Sequence, residues 1–171
     1  GLEKEGIIQS ENRITTSKTR VIASGQHLLR VDREQTDDLN SNEEKDLFER
    51  IIRILNTQKI DVILFQDYNK GVLTENLIQR IITESENRII PTVVDPKFKN
   101  FWAYRGVTLF KPNLKEIRDA LKKDVLISEK SLLHSSQYLK EKLNHQYSMI
   151  TLSEHGIYVF DGKKGEIIPT K

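Results

Sequence analysis

Apolar runs and amphipathic segments alternate from residue 60 onward, and this alternation constrains the fold more than any other feature of the sequence. The strand-like runs are 60–65, 89–94, 107–110 and 148–152. Two segments between them carry apolar residues at helical spacing, namely Leu77, Ile78, Ile81 and Ile82 after Thr74, and Leu114, Ile117 and Leu121 after Asn113. Strands alternating with helices of ~10–15 residues are typical of βαβ units and of a parallel sheet covered on both faces. The sequence therefore predicts an α/β fold, a Rossmann-like three-layer α/β/α arrangement with a mostly parallel sheet.

The chain before residue 60 predicts a projecting β-hairpin and one helix. Two strand-like runs, 19–24 and 27–32, flank Ser24-Gly25-Gln26, where the glycine suits a tight turn. Ser41, with Glu44 three residues later, predicts a capping box at the start of the helix. The expected buried face of that helix consists of Leu47, Phe48, Ile51, Ile52 and Leu55. The remaining predicted elements are a helix over 131–143 that follows the apolar stretch 125–127, and an antiparallel pair of strands over 157–160 and 166–168.

The composition excludes several classes of function. The 27 basic and 25 acidic residues are interspersed and leave a net charge of +2, so neither nucleic acid nor a membrane is expected as a partner. Cysteine is absent, which excludes disulfides, thiolate catalysis and zinc–sulfur sites, and the four histidines are scattered along the chain. The sequence contains neither a P-loop motif nor G-x-G-x-x-G. No apolar run approaches the ~18 residues of a membrane span and no signal peptide is visible, so we expect a cytoplasmic protein.

Polar residues follow four of the predicted strands at the points where those strands end. They are Asp67, Tyr68 and Lys70 after the first, Asp95 and Lys97 after the second, Lys111 and Asn113 after the third, and Ser153, Glu154 and His155 after the last. A solvated loop accounts for any one of these groups alone. The carboxyl ends of parallel strands, however, meet at one edge of a sheet, which is where ligands bind in open α/β folds. The four groups together favour a ligand site.

Two features near this edge have both a structural and a functional interpretation. Asn113 and Glu116 have the spacing of an N-terminal capping box, worth ~1 kcal/mol to the following helix without any ligand. A helix N-terminus is also a site for anions, and Pro112 fixes the approach of the chain to it. Gly71 suits a backbone position with positive φ before a helix. Both interpretations of the capping box stay open at this point.

Several stretches resemble the ribokinase-like carbohydrate kinases. They are DYNKGVL (67–73), VDPKFKNFWAYRGVTLFKPNLKE (94–116), ITLSEHGI (150–157) and, nearer the start, TSKTRVIASGQHLLRVDRE (16–34). Within that family the similarity is greatest to the kinases that act on D-glycero-β-D-manno-heptose 7-phosphate in bacterial ADP-heptose synthesis. The stretches occur in the family's order from about residue 16 to 170, and their combination is more specific than any one of them.

The resemblance implies an ATP- and Mg²⁺-dependent kinase that phosphorylates a sugar phosphate, heptose 7-phosphate, at the anomeric hydroxyl. It assigns the nucleotide side of the site to Asn113, Leu114, Lys115, Glu116, Thr151 and Gly156. Glu116 is the implied magnesium-ordering residue. The sugar-phosphate side is assigned to Asp67, Lys70, Asp95 and Lys97. Lysines and a metal-ordering carboxylate suit phosphoryl transfer, which depends on positioning and charge neutralisation.

The chain also departs from the family pattern. The catalytic aspartate of these kinases lies in a G-A-G-D motif whose amides form an anion hole, and this motif does not occur in the sequence. We therefore expect a segment from the middle of a kinase, with the aspartate beyond Lys171, that is inactive alone. The expected organisation is a single domain with a lid-type hairpin over 13–33, which implies a homodimer joined through the hairpin, and a core over 41–171. The alternatives are a non-catalytic nucleotide- or sugar-binding module and a flavodoxin-like interaction domain without a ligand.

Overall fold

The computed structural model describes residues 4–170, which form two sheets and four helices. The strands are β1 (Ser17–Ala23), β2 (Gln26–Arg33), β3 (Ile63–Gln66), β4 (Thr92–Asp95), β5 (Leu109–Phe110), β6 (Tyr147–Thr151), β7 (Ile157–Phe160) and β8 (Gly165–Ile168). The helices are α1 (Ser41–Thr57), α2 (Glu75–Asn87), α3 (Leu114–Leu121) and α4 (Glu129–Leu143). No helix of residues 4–170 is long and apolar enough to cross a membrane.

The larger sheet has six strands in the order β3-β4-β5-β6-β7-β8. The first four strands are parallel, and β7 and β8 are added antiparallel at the edge. The smaller sheet is the antiparallel hairpin β1-β2, whose turn residues Ser24 and Gly25 both have positive φ, 51° and 75°. Such a two-residue turn matches the twist of the flanking strands. A mostly parallel sheet with helices and a separate hairpin confirms the predicted fold class.

The helices cover one face of the six-stranded sheet. The register places Phe65, Val94 and Phe110 side by side on that face, and each is at most 3% exposed. On the opposite face Val93 is half-buried and Leu64 is 58% exposed. Successive strands from β3 to β6 are added in one direction, and right-handed crossovers then put every connecting helix on the same side.

Helix α2 follows the prediction closely, whereas α1 differs from it. Thr74 caps α2, and the four apolar residues predicted to face inward are all at most 3% exposed. In α1 the capping residue is Asn40 rather than Ser41, since the Asn40 side chain accepts from the Asn42 and Glu43 N–H groups at 3.1 and 3.0 Å. The capping box thus begins one residue earlier than predicted. None of the residues of α1 is fully buried, so its predicted buried face is only half-buried.

Three strands are shorter than the apolar runs that predict them. Strand β3 begins at Ile63 rather than at residue 60, and β5 consists only of Leu109–Phe110. Ile89 has a left-handed backbone with φ 56° and is 92% exposed, so β4 begins at Thr92. Residues 125–127 form no strand and lead directly to α4. Each of these three strands begins later than its apolar run, so an apolar run does not mark the residue at which the chain enters the sheet.

Candidate active site

Four side chains form an ion-pair network at the carboxyl ends of β4 and β5. The Lys97 ammonium lies 2.6 Å from Glu116 Oε1 and 3.4 Å from Asp95 Oδ1. The Lys111 ammonium lies 3.3 Å from the same Asp95 oxygen. Gln66, at the end of β3, donates to Asp95 Oδ2 at 3.1 Å. Side chains from three neighbouring strand ends therefore meet here, but the first strand contributes Gln66, which the sequence analysis missed, and not the predicted Asp67 or Lys70.

The N-terminus of α3 joins this network. Asn113 Oδ1 accepts from the Glu116 N–H at 2.8 Å, and Glu116 Oε2 accepts from the Asn113 N–H at 2.8 Å. The predicted capping box is therefore present. The other oxygen of Glu116 binds Lys97, so one carboxylate both caps the helix and faces the rim of the sheet. Asn113 also forms a parallel bridge with Thr151, whose N–H donates to the Pro112 carbonyl at 3.1 Å.

The surroundings of Asp95 and Lys97 favour the charged form of each side chain over its neutral form. Burial raises the pKa of Asp95, but the hydrogen bond from Gln66 and the charges of Lys111 and Lys97 outweigh it, and the pKa lies below its ordinary value. Burial likewise opposes the charge on Lys97, yet the hydrogen bond and charge of Glu116, together with Asp95, raise the Lys97 pKa. Asp95 is therefore held as an anion and Lys97 as a cation near neutral pH.

A shallow cleft of about 490 Å³ opens beside the N-terminus of α3. Its walls include Asn113, Leu114 and Lys115 on one side and 151–155 at the end of β6 on the other. Gly156 lies just beyond this wall with φ 90°, and a Cβ there would overlap the carbonyl oxygen of Ile168. Four of the six predicted nucleotide-side residues, Asn113, Leu114, Lys115 and Thr151, therefore line one concave surface, whereas Glu116 faces Lys97 and Gly156 is explained by packing against Ile168.

Asp67 does not belong to the ion-pair network. It is 2% exposed, and its oxygens accept from the Tyr104 hydroxyl at 2.7 Å, the Asn100 amide at 3.2 Å and the Asn69 N–H at 2.7 Å. Burial and the adjacent Asp67 raise the pKa of the Tyr104 phenol, which keeps it a hydrogen-bond donor. These contacts favour a role for Asp67 in fixing the loop after β3, which sequence spacing could not reveal because two of the partners lie 33 and 37 residues away.

Lys70 lies at the base of the hairpin and forms an ion pair with Glu34, just after β2. The neighbouring backbone is held by Arg13, whose guanidinium donates to the carbonyls of Lys70 and Asp37. Gly71 has φ 74°, as predicted, and a Cβ at this position would overlap the Asp37 carbonyl. Lys70 therefore connects the core to the segment that leads out of the hairpin, and Arg13 and Glu34 are contacts that the sequence analysis missed.

The oxygen donors at this rim fit magnesium bound together with a nucleotide. Within residues 4–170 no group of three or more His, Cys, Asp or Glu side chains is placed to hold a metal ion. Asp95 and Glu116 nevertheless present two carboxylates around one cation, the Lys97 ammonium. Mg²⁺ is characteristically held by one or two carboxylates plus substrate phosphates, and it keeps several water ligands. Glu116 is the residue that would hold it here, with Asp95 on the other side of the Lys97 ammonium.

The chain is similar to one segment of several bacterial proteins. It is 39% identical over 160 residues to the bifunctional protein HldE of Aliarcobacter butzleri, a match that covers 94% of this chain and 33% of that protein. It is 38% identical over 170 residues to the bifunctional protein HldE of Wolinella succinogenes, covering 99% of this chain and 35% of that protein. The chain thus spans about a third of the length of these curated relatives. No protein-family model matches it.

Solved structures of sugar kinases show the same fold. The tetrameric inhibited form of Escherichia coli phosphofructokinase-2 superposes with a TM-score of 0.70 at 16% identity, covering 92% of this chain and 51% of that one. The same enzyme in complex with fructose-6-phosphate gives 0.67 at 17% identity, covering 91% and 50%. The described residues therefore have the ribokinase-like fold, and the resemblance found in the sequence is confirmed.

Proposed function

We propose that this chain, homologous to one segment of bifunctional HldE proteins and folded like a ribokinase-like sugar kinase, is part of an ATP-dependent sugar-phosphate kinase. Its acceptor is heptose 7-phosphate, phosphorylated at the anomeric hydroxyl during ADP-heptose synthesis. The observation that carries the proposal is the network of Asp95, Lys97, Lys111 and Glu116 at the strand ends, joined to the N-terminus of α3. Support for the acceptor comes from the HldE relatives and from the sequence motifs.

The residues of the cleft suit binding of a nucleotide triphosphate. The N-terminus of α3 offers backbone N–H groups and the positive end of its dipole to phosphate oxygens, beside Lys115. Thr151, and the turn that ends at Gly156, border the same surface. Mg²⁺, when bound, would neutralise charge that develops on the transferred phosphoryl group. Glu116 would hold that ion.

The residues across the rim suit the sugar phosphate. Asp95 and Lys97 provide an acceptor and a cation next to Glu116, and Lys111 adds a second cation. Lys70 would contribute from the base of the hairpin, and Asp67 would act by fixing the loop from which Lys70 extends. Fixed charges of this kind act by positioning both substrates and by balancing the charge of the transition state.

The acceptor specificity is tested in a polypeptide that joins this chain to a G-A-G-D segment and the other parts of a complete kinase. We expect ATP-dependent formation of a sugar bisphosphate from heptose 7-phosphate, visible as a new anomeric phosphate signal by ³¹P NMR. Fructose 6-phosphate, the ligand of one structural neighbour, is the control and should be a poor acceptor. Nucleotide binding without turnover on either sugar would favour a non-catalytic nucleotide-binding module.

A further inference from the structure

We propose that Lys97 is an internal cation that occupies the divalent-metal position of Glu116 until the metal displaces it. The inference deepens the proposed function, on which it rests for the identity of the incoming ion as the magnesium of a nucleotide complex. In this role Lys97 is a positioning residue. It keeps Glu116 oriented without metal, and it becomes available to an anionic ligand once the metal has taken Glu116.

Glu116 offers one oxygen to a cation, and Lys97 occupies it. The Oε2 atom accepts a hydrogen bond from the N–H of Asn113 at 2.8 Å, which fixes the orientation of the carboxylate at the start of α3. The Oε1 atom is 2.6 Å from the Lys97 ammonium, the shortest of the three ion pairs in the network. The Glu116 side chain is only 12% exposed, so a metal ion could reach this oxygen only if the ammonium moved.

The Lys97 ammonium has a second set of oxygen acceptors next to it. Its ammonium is already 3.4 Å from Asp95 Oδ1 and 3.3 Å from the Pro96 carbonyl oxygen. Release from Glu116 would leave it beside Asp95, which is shared with Lys111 at 3.3 Å. Lys97 is therefore paired with Glu116 and Asp95, and Lys111 is the second cation on Asp95.

Charge balance makes the exchange favourable only when an anion arrives with the metal. The four side chains sum to zero charge, so a divalent ion added alone would leave the rim with two excess positive charges. A metal–triphosphate complex carries its own negative charge, and the freed ammonium of Lys97 can pair with it. The network therefore disfavours the bare metal and accepts the metal with its phosphates.

A double-mutant cycle on this chain, with Mn²⁺ alone as the probe, tests the exchange. Lys97→Met should tighten Mn²⁺ binding about fivefold, on the scale of one partly buried ion pair, as measured by electron paramagnetic resonance of free Mn²⁺. Lys97→Arg keeps a cation on Glu116 and should leave the wild-type affinity. Glu116→Gln, which preserves the cap, should remove the gain when combined with Lys97→Met.

The matched control is Lys99→Met, which removes the same charge two positions away. Lys99 pairs with Asp38 at 2.6 Å rather than with Glu116, so this variant should change the Mn²⁺ affinity less than twofold. An equal gain in both methionine variants, or no gain in Lys97→Met, would overturn the inference. No nucleotide or sugar is present in this experiment, so its outcome is separate from the kinase assay: turnover without the Mn²⁺ effect would remove the exchange and keep the proposed function.

Discussion

His145 shows at the scale of one residue how burial sets a titration. It is fully buried, its Nε2 lies 2.6 Å from the Ser148 hydroxyl, and its ring centroid is 5.5 Å from that of Phe110. Burial, with a smaller contribution from the charge of Lys140, lowers the pKa of His145 from 6.5 to about 4. The imidazole is therefore neutral in the folded protein across the physiological range.

We expect this residue to make the protein less stable in mild acid. Between pH 6.5 and about 4 the unfolded chain binds a proton at His145 that the folded chain does not. The free energy of unfolding therefore decreases as the pH is lowered through this window, and His145 contributes no further decrease below pH 4. The loss is on the order of 3 kcal/mol. Urea unfolding of wild type and His145→Gln at several pH values checks this, because the carboxylates common to both proteins cancel in the difference. Parallel pH dependences would contradict the account.

Gly156 is required by close approach as well as by its positive φ. In Gly156→Ala the methyl group would overlap the Ile168 carbonyl, so we expect a loss of at least about 3 kcal/mol in unfolding free energy. Gly25→Ala is the control, since its φ is also positive, at 75°, but a Cβ there meets nothing within 4 Å. It should cost only about 1–2 kcal/mol. Equal losses in the two variants would rule out the close approach as the cause.

At the scale of elements, the hairpin β1-β2 exposes apolar surface that a partner could cover. Leu28, Leu29 and Val31 are 61, 50 and 56% exposed, and both strand edges of this two-stranded sheet are unpaired within residues 4–170. Isolated two-stranded ribbons are marginally stable in water, and unpaired edges associate with other chains. We propose that the hairpin joins two copies of the chain into a symmetric dimer.

The dimer is tested by light scattering coupled to size-exclusion chromatography at tens of micromolar protein. The wild-type chain should elute with twice the monomer mass, and Leu29→Lys should shift it to monomer because a charge would enter the interface. Lys18→Glu, on the same hairpin, is not a suitable second test of the interface, because it would also break the ion pair between Lys18 and Asp32 within the hairpin. A monomer for wild type and Leu29→Lys alike would contradict the proposal.

The elements also show what the sequence could predict. Helix α2 was predictable because all four of its apolar residues at helical spacing are buried. The cap of α1 was not, since Asn40 and Ser41 are both good capping residues and each is followed three positions later by a glutamate. The sequence located the rim of the site through strand ends, but pairings such as Lys97 with Glu116 depend on how the loop after β4 crosses to α3. Local patterns carry no information on that crossing.

At the scale of the whole molecule, the chain carries a charged rim at its strand ends but no G-A-G-D motif with its aspartate. No G-A-G-D motif occurs in its sequence, so a residue to accept the proton of the sugar hydroxyl is not identified. We expect the chain alone to release no ADP above background from ATP, Mg²⁺ and heptose 7-phosphate in a coupled assay. Turnover by the isolated chain would show that the catalytic base lies among its own residues.

The central claim is that Glu116 serves phosphoryl transfer and not only the cap of α3. Glutamine is also accepted at this capping position, so Glu116→Gln should preserve the hydrogen bond to the Asn113 N–H and lower the melting temperature only by the few degrees, roughly, that loss of the Lys97 ion pair costs. In the complete kinase polypeptide, the same change would remove the charge that we propose orders magnesium. The most direct measurement is therefore the turnover of Glu116→Gln with ATP and heptose 7-phosphate, alongside its melting temperature. The account predicts a loss of at least about a hundredfold in kcat with a stable fold; unchanged turnover would contradict it and leave Glu116 as a helix cap alone.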